Sequence, residues 1–341
     1  MDRIILKTKI QEFINTLLKD YEIYAPVKEN NIAKFSIIND GTKIFYEYSN
    51  STIPPKQIIF PQSEVLFKFQ LTRKITELQV PVTEGKEKII LWLRPCDAKS
   101  FLILDKIFDS EYKDNNYINK RKTTTLVGLS CNSPSSNCFC TSIKGSPFSK
   151  ENLDVLFTEL DKSYYVEVIT KKGEELIEKA PRLFSEVSKE ASIKKVELQA
   201  EAERKIVRSV EVNKITEKLK AIYESAFWDS IGEKCIACGI CAYLCPTCHC
   251  FDINDEVSIT RAKGARIRTW DYCTHQLYTL QASGFNPRPT QKYRVRNRVY
   301  HKFKYFQDNF NSTGCVGCGR CVEYCPVNID VSEILSKISL M

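Results

Sequence analysis

One pattern of twelve residues occurs twice in this 341-residue chain, as Cys235-Ile236-Ala237-Cys238-Gly239-Ile240-Cys241-Ala242-Tyr243-Leu244-Cys245-Pro246 and as Cys315-Val316-Gly317-Cys318-Gly319-Arg320-Cys321-Val322-Glu323-Tyr324-Cys325-Pro326. No other feature limits the fold as strongly. In a CxxCxxCxxxCP run, three closely spaced thiolates grip one iron–sulfur cube, and the fourth, just ahead of the proline, reaches the cube held by the other run. The crossed pairing assigns Cys235, Cys238, Cys241 and Cys325 to one [4Fe-4S] cluster, and Cys315, Cys318, Cys321 and Cys245 to a second. Ala237, Gly239, Gly317 and Gly319 are small enough for backbone N–H groups to approach the sulfurs. Structural zinc uses four ligands in CxxC pairs, which does not account for two interlocked runs that each close on Cys-Pro.

The chain has fifteen cysteines. Secreted disulfide scaffolds are short, whereas these cysteines are grouped as metal ligands, which implies a reducing compartment. The segment from Met1 to Lys9 has charges on both sides of a short Ile4-Ile5-Leu6 run, which is not the pattern of a secretory signal. No stretch approaches the ~18 consecutive apolar residues of a membrane span. We therefore expect a cytoplasmic protein without a membrane span.

Upstream of the paired runs the periodicity is mixed. Ile10, Phe13, Ile14, Leu17 and Leu18 have helical spacing. Residues 43–48, 57–60, 64–69, 88–93, 123–129 and 164–169 are rich in β-branched and aromatic side chains and are predicted as strands. Residues 98–108 are predicted as a helix, so 88–129 forms a β-α-β crossover with parallel strands. Residues 176–227 are helical and charged and form a docked connector. The expected fold is an α+β or α/β N-terminal domain (1–225) with a partly parallel sheet, followed by a ferredoxin-like two-cluster domain (226–341) of helices and loops with a basic insert.

Seven cysteines lie outside the runs. Cys96 follows the strand ending at Leu93, and Cys131 follows the strand ending at Leu129, so both lie at the carboxyl edge of a parallel pair, where ligands bind in open α/β sheets. Cys138 and Cys140 come next. These four thiols suffice for a third [4Fe-4S] cluster; the competing reading makes Cys96 and Cys131 small buried hydrophobes. Cys248, Cys250 and Cys273 form a second group with His249 and His275 nearby, able to hold a metal or to line the pocket of the second cluster. His301 is expected at the surface.

The residues between the runs are basic and aromatic: Arg261, Lys263, Arg266, Arg268 and Trp270, then Arg288 through Lys304. Such a segment fits an acidic redox partner or nucleic acid. The net charge of +8 also offsets the negative charge of thiolate-bound clusters. There is no GxGxxG, no phosphate-binding GxxxxGK[ST] and no hydrolase triad, and three histidines leave little scope for acid–base chemistry. Three function classes remain: an electron-transfer subunit, a reductase of sulfur species at the Cys96 group, or a cluster-containing nucleic-acid binder.

Tyr24-Ala25-Pro26-Val27, Arg94-Pro95-Cys96-Asp97, Cys138-Phe139-Cys140, Cys245-Pro246-Thr247-Cys248-His249-Cys250 and Trp270-Asp271-Tyr272-Cys273 occur in the order and spacing of a known family. Over nearly its whole length the chain resembles the iron–sulfur subunit of anaerobic sulfite reductase and the beta subunit of archaeal NiFe sulfhydrogenase. The segment from Arg288 to Arg298 is more similar to the sulfhydrogenase branch. The resemblance implies a cytoplasmic iron–sulfur subunit that relays electrons between a flavin-bearing NAD(P)H subunit and a catalytic hydrogenase or sulfite/sulfur reductase subunit.

Overall fold

The computed structural model describes residues 2–72, 75–81, 86–260 and 262–341; Met1 and Arg261, both named above, lie outside them. The centre is a mixed eight-stranded sheet. Its strands are β1 (Arg3–Leu6), β2 (Glu22–Glu29), β3 (Ile32–Ile38), β6 (Lys88–Leu93), β7 (Thr124–Leu129), β8 (Val155–Glu159), β9 (Ser163–Val168) and β10 (Phe184–Ser185), where β4 (Ser63–Leu71) and β5 (Thr76–Gln79) belong to a second sheet. The order is β10-β1-β9-β8-β7-β6-β2-β3. The middle of the sheet, β2-β6-β7-β8, is parallel, and the remaining pairs are antiparallel.

Ile89, Ile90, Leu91 and Leu93 in β6, and Leu126, Val127 and Leu129 in β7, are all buried, as expected of strands covered on both faces. The crossover between them consists of α2 (Pro95–Phe108) and a short α3 (Asn115–Lys122), after α1 (Lys7–Leu17) near the N-terminus. One face of the sheet packs on α1 through Phe13, Ile14 and Leu17, and the other packs on α2 through Phe101 and Leu104. Near its carboxyl end β6 carries a bulge, with Trp92 in the left-handed region at φ 66°. A bulge re-aims the residues that follow it. Here these are Arg94, Pro95 and Cys96.

Two predicted strands are corrected. Of 43–48, Lys43 ends a 3-10 turn (Gly41–Lys43) and the rest is irregular, and Pro55–Ile58 is also a 3-10 turn. Pro54 and Pro55 explain the second case, since proline favours the first turn of a helix and supplies no ladder donor. Residues 44–48 are anchored through the Tyr48 hydroxyl, which donates to the Trp92 carbonyl.

The segment between the two cysteine runs is also more ordered than helices and loops. It contains β11 (Phe251–Val257) and β12 (Lys263–Trp270), which form a four-stranded antiparallel sheet, β11-β12-β4-β5, with the hairpin from the first third of the chain. The insert is thus paired strand to strand with residues 63–71. The helix Gln291–Tyr300 then continues into a π-helical turn, His301–Tyr305, before the second run begins.

Candidate metal centres

All fifteen cysteines are free thiols, and each lines at least one of four cavities. Cys235, Cys238, Cys241 and Cys325 line the first, with Cys321 in its wall and the buried Val295, Val299 and Ile334 on its inner side. The two runs fold alike. Ala237 (φ 58°) and Gly239 (φ 76°) match Gly317 (φ 66°) and Gly319 (φ 76°), and each second glycine starts a single helical turn, Ile240–Tyr243 or Arg320–Glu323.

Cys245, Cys315, Cys318 and Cys321 line the second cavity, beside Phe139, Val316 and Val331. Hydrogen bonds reach the sulfurs in both. Gln291 Nε2 is 3.1 Å from Cys235 Sγ, Ile329 N is 3.1 Å from Cys325 Sγ, and Gly317 N is 3.4 Å from Cys315 Sγ.

Cys96, Cys131, Cys138 and Cys140 line the third cavity together. Cys96 lies in the first turn of α2, and Cys131 lies just after β7. Arg94 draws the surrounding loops together: Nε donates to the Ser49 carbonyl (2.8 Å), Nη1 to the Ser130 carbonyl (2.6 Å), and Nη2 to the Tyr48 carbonyl. Asn50, a residue with no signal of its own in the sequence, accepts from Cys96 Sγ (3.6 Å) and donates to Cys138 Sγ (3.9 Å) and to the Cys318 carbonyl (3.0 Å).

The cavities adjoin. Cys321 lines the first and second, and Cys318 the second and third. At the latter boundary Phe139 N donates to the Gly317 carbonyl at 2.9 Å, and a Cβ on Gly317 would lie 2.7 Å from the backbone of Cys140.

The fourth cavity holds Cys248, Cys250, Cys273, His249 and His301. His301 is therefore not a surface residue; its ring lies 5.2 Å from that of His249. His275, by contrast, is absent from the lining and faces Asp271 at 3.6 Å.

Burial sets the electrostatics. It pushes the thiols of Cys138 and Cys140 up to about 12 and that of Cys315 up to about 11, and raises Cys96 well above the ordinary value. Such thiols give up their protons when a metal takes their place. Cys245 moves the other way: a hydrogen bond from Cys248 and the nearby Lys302 ammonium hold it well below the ordinary value against the effect of burial. Burial opposes the charges of Lys302 and Arg298, yet the neighbouring sulfurs of Cys245, Cys248 and Cys241 outweigh it and raise both. Both cations line the first, second and fourth cavities. They come from one helical stripe, with Arg298, His301 and Lys302 at i, i+3 and i+4, a spacing visible in the sequence once the helix is placed.

Five cations of the insert are paired with carboxylates within the protein. Arg268 pairs with Glu64 and Asp114, Arg266 with Asp255, Arg296 with Glu224, Lys292 with Asp229, and Lys304 with Asp308. Among the described residues no three Cys, His, Asp or Glu side chains close to the spacing of a single metal ion. Each of the first three cavities offers four thiols, the number that one cube requires.

Comparison with known proteins agrees with this chemistry. Residues 234–329 match the family model of a 4Fe-4S dicluster domain. The chain is 32% identical over 330 residues to Sulfhydrogenase 2 subunit beta of Pyrococcus furiosus, covering 96% of this chain and 95% of that protein. No solved structure matches the chain.

Proposed function

The chain belongs to the family of sulfhydrogenase beta subunits, and from that premise we propose that it relays single electrons between a flavin-bearing NAD(P)H subunit and a catalytic hydrogenase or sulfur-reducing subunit. One observation carries the reading: three cavities, each lined by the four thiols of one candidate cluster, stand in series and share Cys321 and then Cys318 as common walls. When bound, a [4Fe-4S] cluster takes up and releases one electron. The protein's part is to hold the cubes close, keep water out with Val295, Val299, Phe139 and Val316, and place N–H donors and the Lys302 ammonium at selected sulfurs.

Two observations favour a relay over the other function classes. The third cavity offers four thiols, one for each iron of a cube, so no iron is left open for a sulfur substrate. The pairing of the insert's cations to carboxylates removes much of the free positive surface that nucleic acid would require. No helix among the described residues is long and apolar enough to cross a membrane. A cytoplasmic complex fits the thiol-rich composition.

The test is anaerobic purification of the chain with its partners. It should be brown, hold at least about twelve iron atoms with matching sulfide, and show reduced-cluster EPR signals with dithionite. In the complex, Cys131→Ser should abolish hydrogen-linked reduction of NAD(P)+ and spare dye-linked activity of the catalytic subunit. A colourless zinc protein, or full coupled turnover in that variant, would overturn the reading.

A further inference from the structure

We propose that Cys248, Cys250 and Cys273 hold a fourth [4Fe-4S] cluster, with the imidazole of His249 at the iron that lacks a thiolate. The proposal rests on the relay reading only in assigning the other twelve cysteines to three other cubes.

Strand register brings the thiols together. Phe251 pairs with Trp270 at the end of the β11–β12 ladder, so Cys250, one residue before it, meets the chain leaving β12, where Asp271 N donates to the Cys250 carbonyl at 3.0 Å. Cys273 follows two residues later and Cys248 precedes by two, and all three line one cavity. Three thiolates and one imidazole supply one ligand for each iron of a cube.

A second, independent observation is the charge around the cavity. Lys56 is 2% exposed and donates to the Cys248 carbonyl at 2.7 Å, and Arg298 Nη1 lies 3.3 Å from Cys248 Sγ. Lys302, 7% exposed, lines the same cavity and donates to Cys245 Sγ, Thr247 Oγ1 and the Gly314 carbonyl. Among the described residues neither lysine has a carboxylate partner. Buried ammonium groups without counter-charge are costly, and a thiolate-bound cube supplies that charge on this side as well as at Cys245.

His249 has the arrangement of a ligating imidazole. Its Nδ1 lies 3.1 Å from the Thr247 carbonyl. With the proton on Nδ1, that bond fixes the ring and leaves the Nε2 lone pair free, as the outer contacts of metal-bound histidines do. The three cysteines bind as thiolates, with any protons they carry passing to solvent, and the cube would exchange one electron with the neighbouring cluster. Imidazole in place of thiolate raises the potential, so this site would hold the electron longer than the others.

The experiment uses the full chain, purified anaerobically within its complex. Wild type should carry about sixteen iron atoms and as many sulfides, and Cys273→Ser about four fewer, with the other clusters' EPR signals unchanged. His249→Cys should keep all the iron and lower the midpoint of one cluster alone, a result that a structural role for the imidazole would not produce. A wild-type count that stops near twelve, a Cys273→Ser variant that loses no iron, or one zinc per chain at these cysteines would overturn the fourth site. If Cys273→Ser does not accumulate, the wild-type count and the His249→Cys midpoint decide. Loss of iron in Cys131→Ser but not in Cys273→Ser refutes this inference and leaves the relay intact; loss in neither refutes both.

Discussion

Arg320, inside the second cysteine run, forms a two-pronged ion pair with Asp97 in the first turn of α2, with Nη1–Oδ1 at 2.7 Å and Nη2–Oδ2 at 2.9 Å, and neither side chain is exposed. Arg320 also donates to the carbonyl and hydroxyl of Ser51. This contact locks the dicluster end of the chain to the carboxyl edge of the sheet, next to Cys96. Breaking a buried pair on one side costs about 3–5 kcal/mol because a charge is left stranded, whereas replacing both partners with apolar groups is often neutral. Arg320→Met should therefore lower the unfolding midpoint sharply, and Arg320→Met with Asp97→Leu should recover most of the loss. Anaerobic denaturant titration of the single and double variants measures this coupling; a double variant as unstable as the single would contradict it.

Gly317 separates backbone conformation from close approach. Ala237 occupies the equivalent place in the first run at φ 58° and carries a Cβ, so the left-handed turn alone tolerates alanine. At Gly317 the same Cβ would press on the Cys140 and Phe139 backbones at 2.7 Å. Gly317→Ala should push the second and third cavities apart and reduce bound iron by up to about eight atoms. Gly284→Ala, also at positive φ but with nothing within 4 Å of the added carbon, should cost only about 1 kcal/mol and no iron. Iron analysis of the two variants side by side distinguishes them.

The parts that were legible from sequence were those fixed by local spacing. The two runs dictate their own loops, and the apolar β-branched stretches at 88–93 and 124–129 identify parallel strands whose ends gather Cys96 and Cys131. What was not legible depends on partners distant in sequence. Residues 251–257 alternate poorly and are exposed along their whole length, so the β11 strand gives little hydrophobic signal and exists through its ladder with β12. His301 looks solvated among lysines and arginines until the π-helical turn sets it beside Lys302 over a cavity. Arg268 likewise reads as one more surface cation, yet it is 3% exposed between Glu64 and Asp114, both supplied by the other half of the chain.

In the second cavity the buried ammonium of Lys302 lies 3.3 Å from Cys245 Sγ. A hydrogen bond from a charged donor contributes about 1.5–3 kcal/mol, and it favours the reduced, more negative cluster. At ~59 mV per factor of ten for a one-electron couple, Lys302→Met should lower that cluster's midpoint on the order of 100 mV. Redox titration followed by EPR should show one component displaced more than the others. An equal shift of every component would show that the charge acts without the Cys245 hydrogen bond, and no shift at all that Lys302 serves only to fill space.

Removing the iron should loosen one part of the molecule and spare another. The cores on the two faces of the large sheet, built on Phe13, Trp92 and Phe157 and on Phe60, Phe101 and Phe108, contain no cysteine. The core around Trp228, Tyr300 and Phe303 packs against Cys315, and the small one around Ile103, Phe306 and Val316 packs against Cys96 and Cys318. Chelation removes the iron that ties these sulfurs together and returns the buried thiols of Cys96 and Cys315 to the neutral form, as their burial dictates. Hydrogen exchange of the chelated chain should therefore accelerate across residues 235–250 and 291–325, while residues 88–93, 124–129 and 155–159 keep their protection. Equal acceleration across both groups would show instead that the sheet itself depends on the metal centres.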